Sequence, residues 1–264
     1  MRAHLLLAAA GFRERSRYLM AAAGGLVANA TFGFLKVAIL FATVEAAGGE
    51  LQGYDVATMS AYIWISQGLL GSINLFGRVD IADRIHSGDI TVDFLRPLDV
   101  HTAMIATEFG RSTFALIPRG IPSIAIGAVF VGMATPAGPA GYAFGAVSVA
   151  LAFVISAASV YLVAASGFWL VETRGVQAMY MIVSSFLAGL FVPLWLFPTW
   201  LQIVAQLTPF PSLLMYPTDI LSGRSSGVEA LGLVVLQVVW LGVTVGAGQL
   251  MTWAGRRHLE VQGG

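Results

Sequence analysis

The chain has 264 residues, 57% hydrophobic and only 11% charged, with a formal net charge of zero. Soluble domains carry roughly 25% charge, so this composition suits a lipid bilayer, and a zero net charge offers no field to gather nucleic acid. Cysteine is absent, which excludes disulfides and thiolate chemistry.

In chain order, residues 1–17 place Arg2, Arg13, Arg15 and Arg17 beside Leu5, Leu6, Leu7 and Phe12. That pattern predicts an amphipathic helix lying in the membrane surface, with a frayed basic tail as the alternative. The apolar run at 5–10 is short and charges follow it directly, so no cleaved signal is expected. A first span is expected over 19–44, long enough for a hydrocarbon core that needs about 20 residues. Lys36 lies inside it, either snorkelling or facing a polar partner in the bundle. A second span is expected over 56–76.

The stretch 77–99 is unlike the rest. It crowds Arg78, Asp80, Asp83, Arg84, His86, Asp89, Asp93, Arg96 and Asp99 together. Each such charge costs at least about 2.5 kcal/mol at the bilayer centre, so the stretch belongs in water between two spans. Val79, Ile81, Ala82 and Ile85 give one apolar face, which predicts a short helix, and Gly88 after Ser87 can end it. Pro97 stops a second short element. A short polar helix held between two spans makes a handle for a soluble partner.

Beyond Asp99, residues 101–119 are mixed, with Glu108 and Arg111 among apolar neighbours, and should enter the membrane obliquely or lie along its face. A third span over 120–133 is short unless it borrows from that segment. Further spans are expected over 142–170, 176–196 and 230–253, with a tight polar turn at Glu172 and Arg174. Residues 198–223 are apolar but broken by Pro198, Pro209, Pro211 and Pro217, so no single spanning helix fits. They predict short re-entrant or interfacial helices on the outer side, with an ordinary outer loop as the alternative. The expected fold is therefore all-α: one polytopic bundle of six transmembrane helices forming a single domain over 1–264. With six spans, basic residues collect on one side and only Arg224 falls on the other, which places both termini, the 77–99 stretch and the Glu172 turn in the cytoplasm; a bacterial cell membrane is the expected location.

Chemistry is sparse. No G-x-x-x-x-G-K-[ST] loop and no H-E-x-x-H occur, and His4, His86, His101 and His258 are scattered near the span ends, most of them expected solvated or interfacial. No metal site and no catalytic residue is expected. Asn29-Ala30-Thr31 matches a glycosylation triplet but falls inside a span.

The run Ile85-His86-Ser87-Gly88-Asp89-Ile90, followed by Phe94-Leu95-Arg96-Pro97-Leu98, resembles a signature of ABC-2 type transporter permeases. The aspartates Asp89 and Asp93 depart from the usual neutral or basic pattern there. The resemblance implies a membrane permease without its own nucleotide site or bound cofactor, with ATP and Mg held by a separate cytosolic ABC ATPase dimer. It implies a coupling helix in the loop after the second span, hence an ATPase-facing set of Arg78, Asp80, Ile81, Asp83, Arg84, Ile85, His86, Ser87, Gly88 and Arg96. Glu172 and Arg174 form a second contact in this reading. A second permease subunit is implied, as a heterodimer or a homodimer. The cargo expected from spans poor in charge is amphiphilic or hydrophobic, with Phe32, Lys36, Trp64 and Phe186 along its path. An ion-coupled carrier or a non-transporting assembly subunit is the alternative.

Overall fold

The computed structural model describes residues 2–77 and 79–258, and all regular structure among them is helical apart from a single bridge between Leu51 and Tyr54. In chain order the helices are α1 (Arg2–Ser16), α2 (Leu19–Ala46), α3 (Val56–Leu70), α4 (Asp80–Ser87), α5 (Ile90–Phe94), α6 (Val100–Ala115), α7 (Ile121–Ile126), α8 (Pro139–Ala165), α9 (Arg174–Leu187), α10 (Thr199–Gln206), α11 (Met215–Leu221) and α12 (Gly227–Arg256). Among the described residues four helical runs are long and apolar enough to cross a membrane: α2, the run Val100–Val131, α8 and α12.

The run Val100–Val131 joins α6 and α7 through a wide π turn at Leu116–Gly120 and ends in another at Gly127–Val131. The sequence expectation began this span at residue 120. The segment before it is continuous with it, because a wide turn absorbs Pro118 and Pro122 falls in the first turn of α7, where a missing donor is tolerated. α1 lies along α6, where the missing side chains of Gly11 and Gly110 let its backbone meet Thr107 and Ala8; any Cβ there would sit within 2.2 Å of a carbonyl oxygen.

α3 and α9 are shorter, 15 and 14 residues, and each continues as broken backbone. Irregular backbone at membrane depth survives only where protein satisfies it. After α3, the Asn74 amide donates to Ser156 Oγ at 2.9 Å, the Asn74 carbonyl accepts from Tyr180, and Ser184 Oγ donates to the Leu75 carbonyl at 3.1 Å. α8 and α9 thus supply the partners that a regular helix would supply internally. After α9, Gly189 turns the chain with φ +74°, and its carbonyl accepts from Tyr62 Oη at 2.6 Å.

The ends of the bundle sort into two groups. At one, the Ala134 amide donates to Ala57, Arg224 reaches Gln52, and Gly223 packs on Thr135. At the other, α4 packs on Gly167, Arg256 lies over Phe94, and His258 meets Trp169. Between them runs an apolar core centred on Trp64, which is fully buried and wedged against Gly33 and Gly127.

Candidate functional site

α4 is short and strongly amphipathic. Ile81, Ala82 and Ile85 are 7, 8 and 6% exposed and join Ile90, Tyr161, Ala164 and Ala165 in one apolar cluster at the end of α8. Gly88 caps the helix in the left-handed region, φ +83°, a conformation glycine adopts without a Cβ penalty. Asp80 and Asp83 stand in the first turn and Arg84 and His86 in the last, each matching the helix dipole.

The charges divide into two sets. Arg84 Nε donates to Asp93 at 2.6 Å, Arg96 reaches the same carboxylate at 3.2 Å, and Asp93 holds the Arg84 guanidinium above its ordinary value. Asp80 pairs with Arg111 at 2.9 Å, and Arg111 also holds Glu14 and Glu108. These fasten α4 and α5 to each other and to α6 and α1. Asp83 and His86 are exposed and make no hydrogen bond or ion pair among the described residues. Ser87 is exposed and bonds only locally, to Arg84 and Asp89. Arg78 lies outside the described residues. Of the sequence-expected set, Ile81 and Ile85 anchor the helix inward, Asp80, Arg84 and Arg96 are committed within the chain, and Asp83, His86 and Ser87 form the outward face. Glu172 and Arg174 are both exposed and pair at 3.6 Å in the neighbouring turn.

A model of the ABC-2 family transporter protein matches residues 27–257. The chain belongs to that family. A comparison with curated proteins finds no match. Membership of the ABC-2 family makes the chain a membrane transport component and implies association with an ABC ATPase. α4 falls within the matched region.

The residues expected along a pathway in this ABC-2 protein are scattered. Phe32 and Phe186 are 60 and 51% exposed on the outside of α2 and α9, and Phe186 packs on Phe191. Trp64 is core. Lys36 donates to the Leu190 carbonyl and lies 6.0 Å from the Tyr62 ring, so it caps the broken end of α9 with a positive charge.

Three polar groups escaped sequence reasoning. Arg119 sits inside the run Val100–Val131, where its Nη2 donates to Asn29 Oδ1 at 2.7 Å. Two prolines beside it hid the helix that carries it. Asp219 of α11 is 1% exposed, with Trp195 Nε1 at 2.7 Å, Tyr54 Oη at 3.4 Å and Arg224 at 3.6 Å. Burial pushes its carboxyl up to about 6, against the opposing pull of Arg224 and the Trp195 bond. His101, expected near solvent, is instead fully buried and stacked on Tyr161 at 4.2 Å against Gly248.

Proposed function

We propose that this chain is the permease subunit of an ATP-driven exporter, and that α4 is the helix through which a separate cytosolic ATPase dimer moves it. The observation that carries this reading is the division of α4. Its apolar side is sewn into the end of α8, while Asp83, His86 and Ser87 are left outward and uncommitted to distant partners. A push on that face is transmitted to a spanning helix through buried contacts, because packed apolar groups do not deform continuously.

The two-ended sorting of loops supports six crossings, with α3 and α9 completed by their broken continuations. Both termini and α4 then lie in the cytoplasm, α1 lies at the membrane surface, and 198–223 forms the re-entrant outer segment. A second ABC-2 permease, different or identical, completes the membrane part, and ATP and Mg stay in the ATPase. The cargo is amphiphilic or hydrophobic and leaves the cytoplasm or inner leaflet.

The test is Asp83→Arg combined with His86→Glu, made in the permease reconstituted with the ABC ATPase that co-purifies with it. Neither residue has an internal partner to lose, and setting each charge against the helix dipole costs about 0.3–1 kcal/mol, so the fold should persist with only a small loss of thermal stability. Transport and permease-stimulated ATP hydrolysis should both fall at least tenfold. Normal transport by the double variant, or no ATPase in the purified complex, would overturn the reading.

A further inference from the structure

Arg119 presents an unmet chemical demand. Its guanidinium carries five donors in a fixed fork. Only one bond is made, to Asn29, and Nε is buried without any partner. Among the described residues no carboxylate lies within ion-pairing distance of it. The residue stands twelve positions before Val131, about 18 Å from the far end of its helix at 1.5 Å per residue. A charge at such depth is normally paired, and arginine's fork favours carboxylate and phosphate.

The surroundings hold that side chain open to a ligand. Gly25 of α2 and Gly71 after α3 leave room for it, since a Cβ on either would lie within 3.0 Å of the Arg119 side chain. It lines a cavity of about 1210 Å³ that reaches from the end of α3 past α4 to α9. That volume exceeds the roughly 300–1,000 Å³ of ordinary small-molecule sites. Of the five acids in its wall, Glu14, Asp80 and Glu108 are already spent on Arg111 and Glu172 on Arg174, which leaves Asp83, on the exposed face of α4, as the one without an ion pair among the described residues. Ser72, 3% exposed, also lines the cavity, and its hydroxyl has no partner. Elsewhere in the wall Phe76, Leu170, Val171 and Met181 are all more than a third exposed and offer apolar surface beside the paired Glu172 and Arg174.

From this juxtaposition the geometry points to a binding site for an anionic amphiphile, whose phosphate or carboxylate head pairs with Arg119 while its apolar tail lies along the Phe76–Met181 flank. The inference rests on the permease reading, in that such an amphiphile is the cargo collected from the cytoplasmic side. An anionic headgroup drawn from the inner leaflet and a soluble anionic amphiphile share this chemistry.

Native mass spectrometry of the purified chain in a neutral detergent tests binding directly, without any ATPase. Dodecyl phosphate should be retained at one per chain, at least tenfold more tightly than dodecyltrimethylammonium. Arg119→Gln should weaken dodecyl phosphate at least tenfold. Ala178→Trp, which fills the cavity from an exposed position on α9, should do the same while leaving every hydrogen bond around Arg119 in place. Retention of phosphatidic acid from phosphatidylcholine nanodiscs identifies the leaflet as the source; binding of dodecyl phosphate alone identifies water. Equal retention of the cationic amphiphile, or undiminished binding in Ala178→Trp, overturns the inference. Because coupling is read separately on α4, either result leaves the permease reading to stand or fall by itself.

Discussion

α4 and α11 are nearly the same length, eight and seven residues, yet they are stabilised in opposite ways. Helices this short do not hold in water by propensity, so packing decides both. α4 buries three residues on one side and turns Asp83 and His86 outward, its other charges being paired within the chain. α11 buries Met215 through Ile220 on all sides and keeps one charge inside, Asp219, on Trp195, Tyr54 and Arg224. The first is an element that can be handled from outside and the second is a fixed plug. The difference teaches where movement can enter this molecule, and it can be broken at either end.

The largest effect is expected at α11. Arg224→Leu removes the counter-charge of a buried carboxylate and the cation lying 4.6 Å from the Tyr54 ring. Breaking a buried pair on one side costs about 3–5 kcal/mol. Thermal unfolding in detergent should show that loss, and a variant as stable as the parent would mean that α11 is not held by this cluster.

Next is the anchor of α4. Ile85→Ala deletes a side chain that is 6% exposed and rests against Gly167. A buried Ile→Ala change costs about 2–5 kcal/mol, here drawn mainly from local opening of α4. Hydrogen exchange should show the α4 amides opening on the order of a hundredfold more often, with the α8 amides unchanged. Uniform loss of protection across both helices would show that α4 is not a separable unit.

The third prediction concerns pH. Asp219 titrates near 6 in the fold, above its ordinary 3.8, because it is buried. The folded state therefore holds this proton more tightly than the unfolded one. The stability it contributes is complete below about pH 4 and is lost as pH rises through 6, a change of about 3 kcal/mol. Unfolding temperatures compared between pH 4 and pH 8 should fall for the parent, and Asp219→Asn should reduce that slope. An unchanged slope in Asp219→Asn would remove Asp219 as its source.

Much of this architecture was legible in the sequence, and the failures have physical causes. α2, α8 and α12 follow from long apolar runs, that of α2 broken only by Lys36 at its interior, and α4 from Ile81, Ala82 and Ile85 with Gly88 behind them. Hydropathy averages over backbone, so it could not see that the expected spans 56–76 and 176–196 leave helical geometry after Leu70 and Leu187. Ser156, Tyr180 and Ser184 make that break tolerable from elsewhere in the chain, and no local pattern announces them. Arg119 was misplaced because Pro118 and Pro122 look like a helix boundary until a π turn carries the helix through the first and the opening turn of α7 takes the second. Asp219 was hidden among prolines, since its partners Tyr54 and Trp195 are distant in sequence or lie beyond a loop.

The smallest structural effect should accompany the largest functional one. Asp83→Arg alone changes an exposed group in the first turn of α4 and breaks no bond made by any described residue. It puts a positive charge near the helix N-terminus, which costs about 0.3–1 kcal/mol locally, so the folded bundle should be almost indifferent to it. If α4 is grasped by a partner, the same change puts the wrong charge at the exposed rim of that contact, and a rim charge acts chiefly on the rate of association and its dependence on salt. The ATPase should then bind more slowly, and the salt dependence of binding should change in slope between 50 and 300 mM. Arg84→Glu behaves differently, because it also abandons Asp93 at 2.6 Å and loosens α5. A binding defect without a stability defect at Asp83, and both together at Arg84, is the pattern required of a handle whose inner half is structural and whose outer half is offered to another protein.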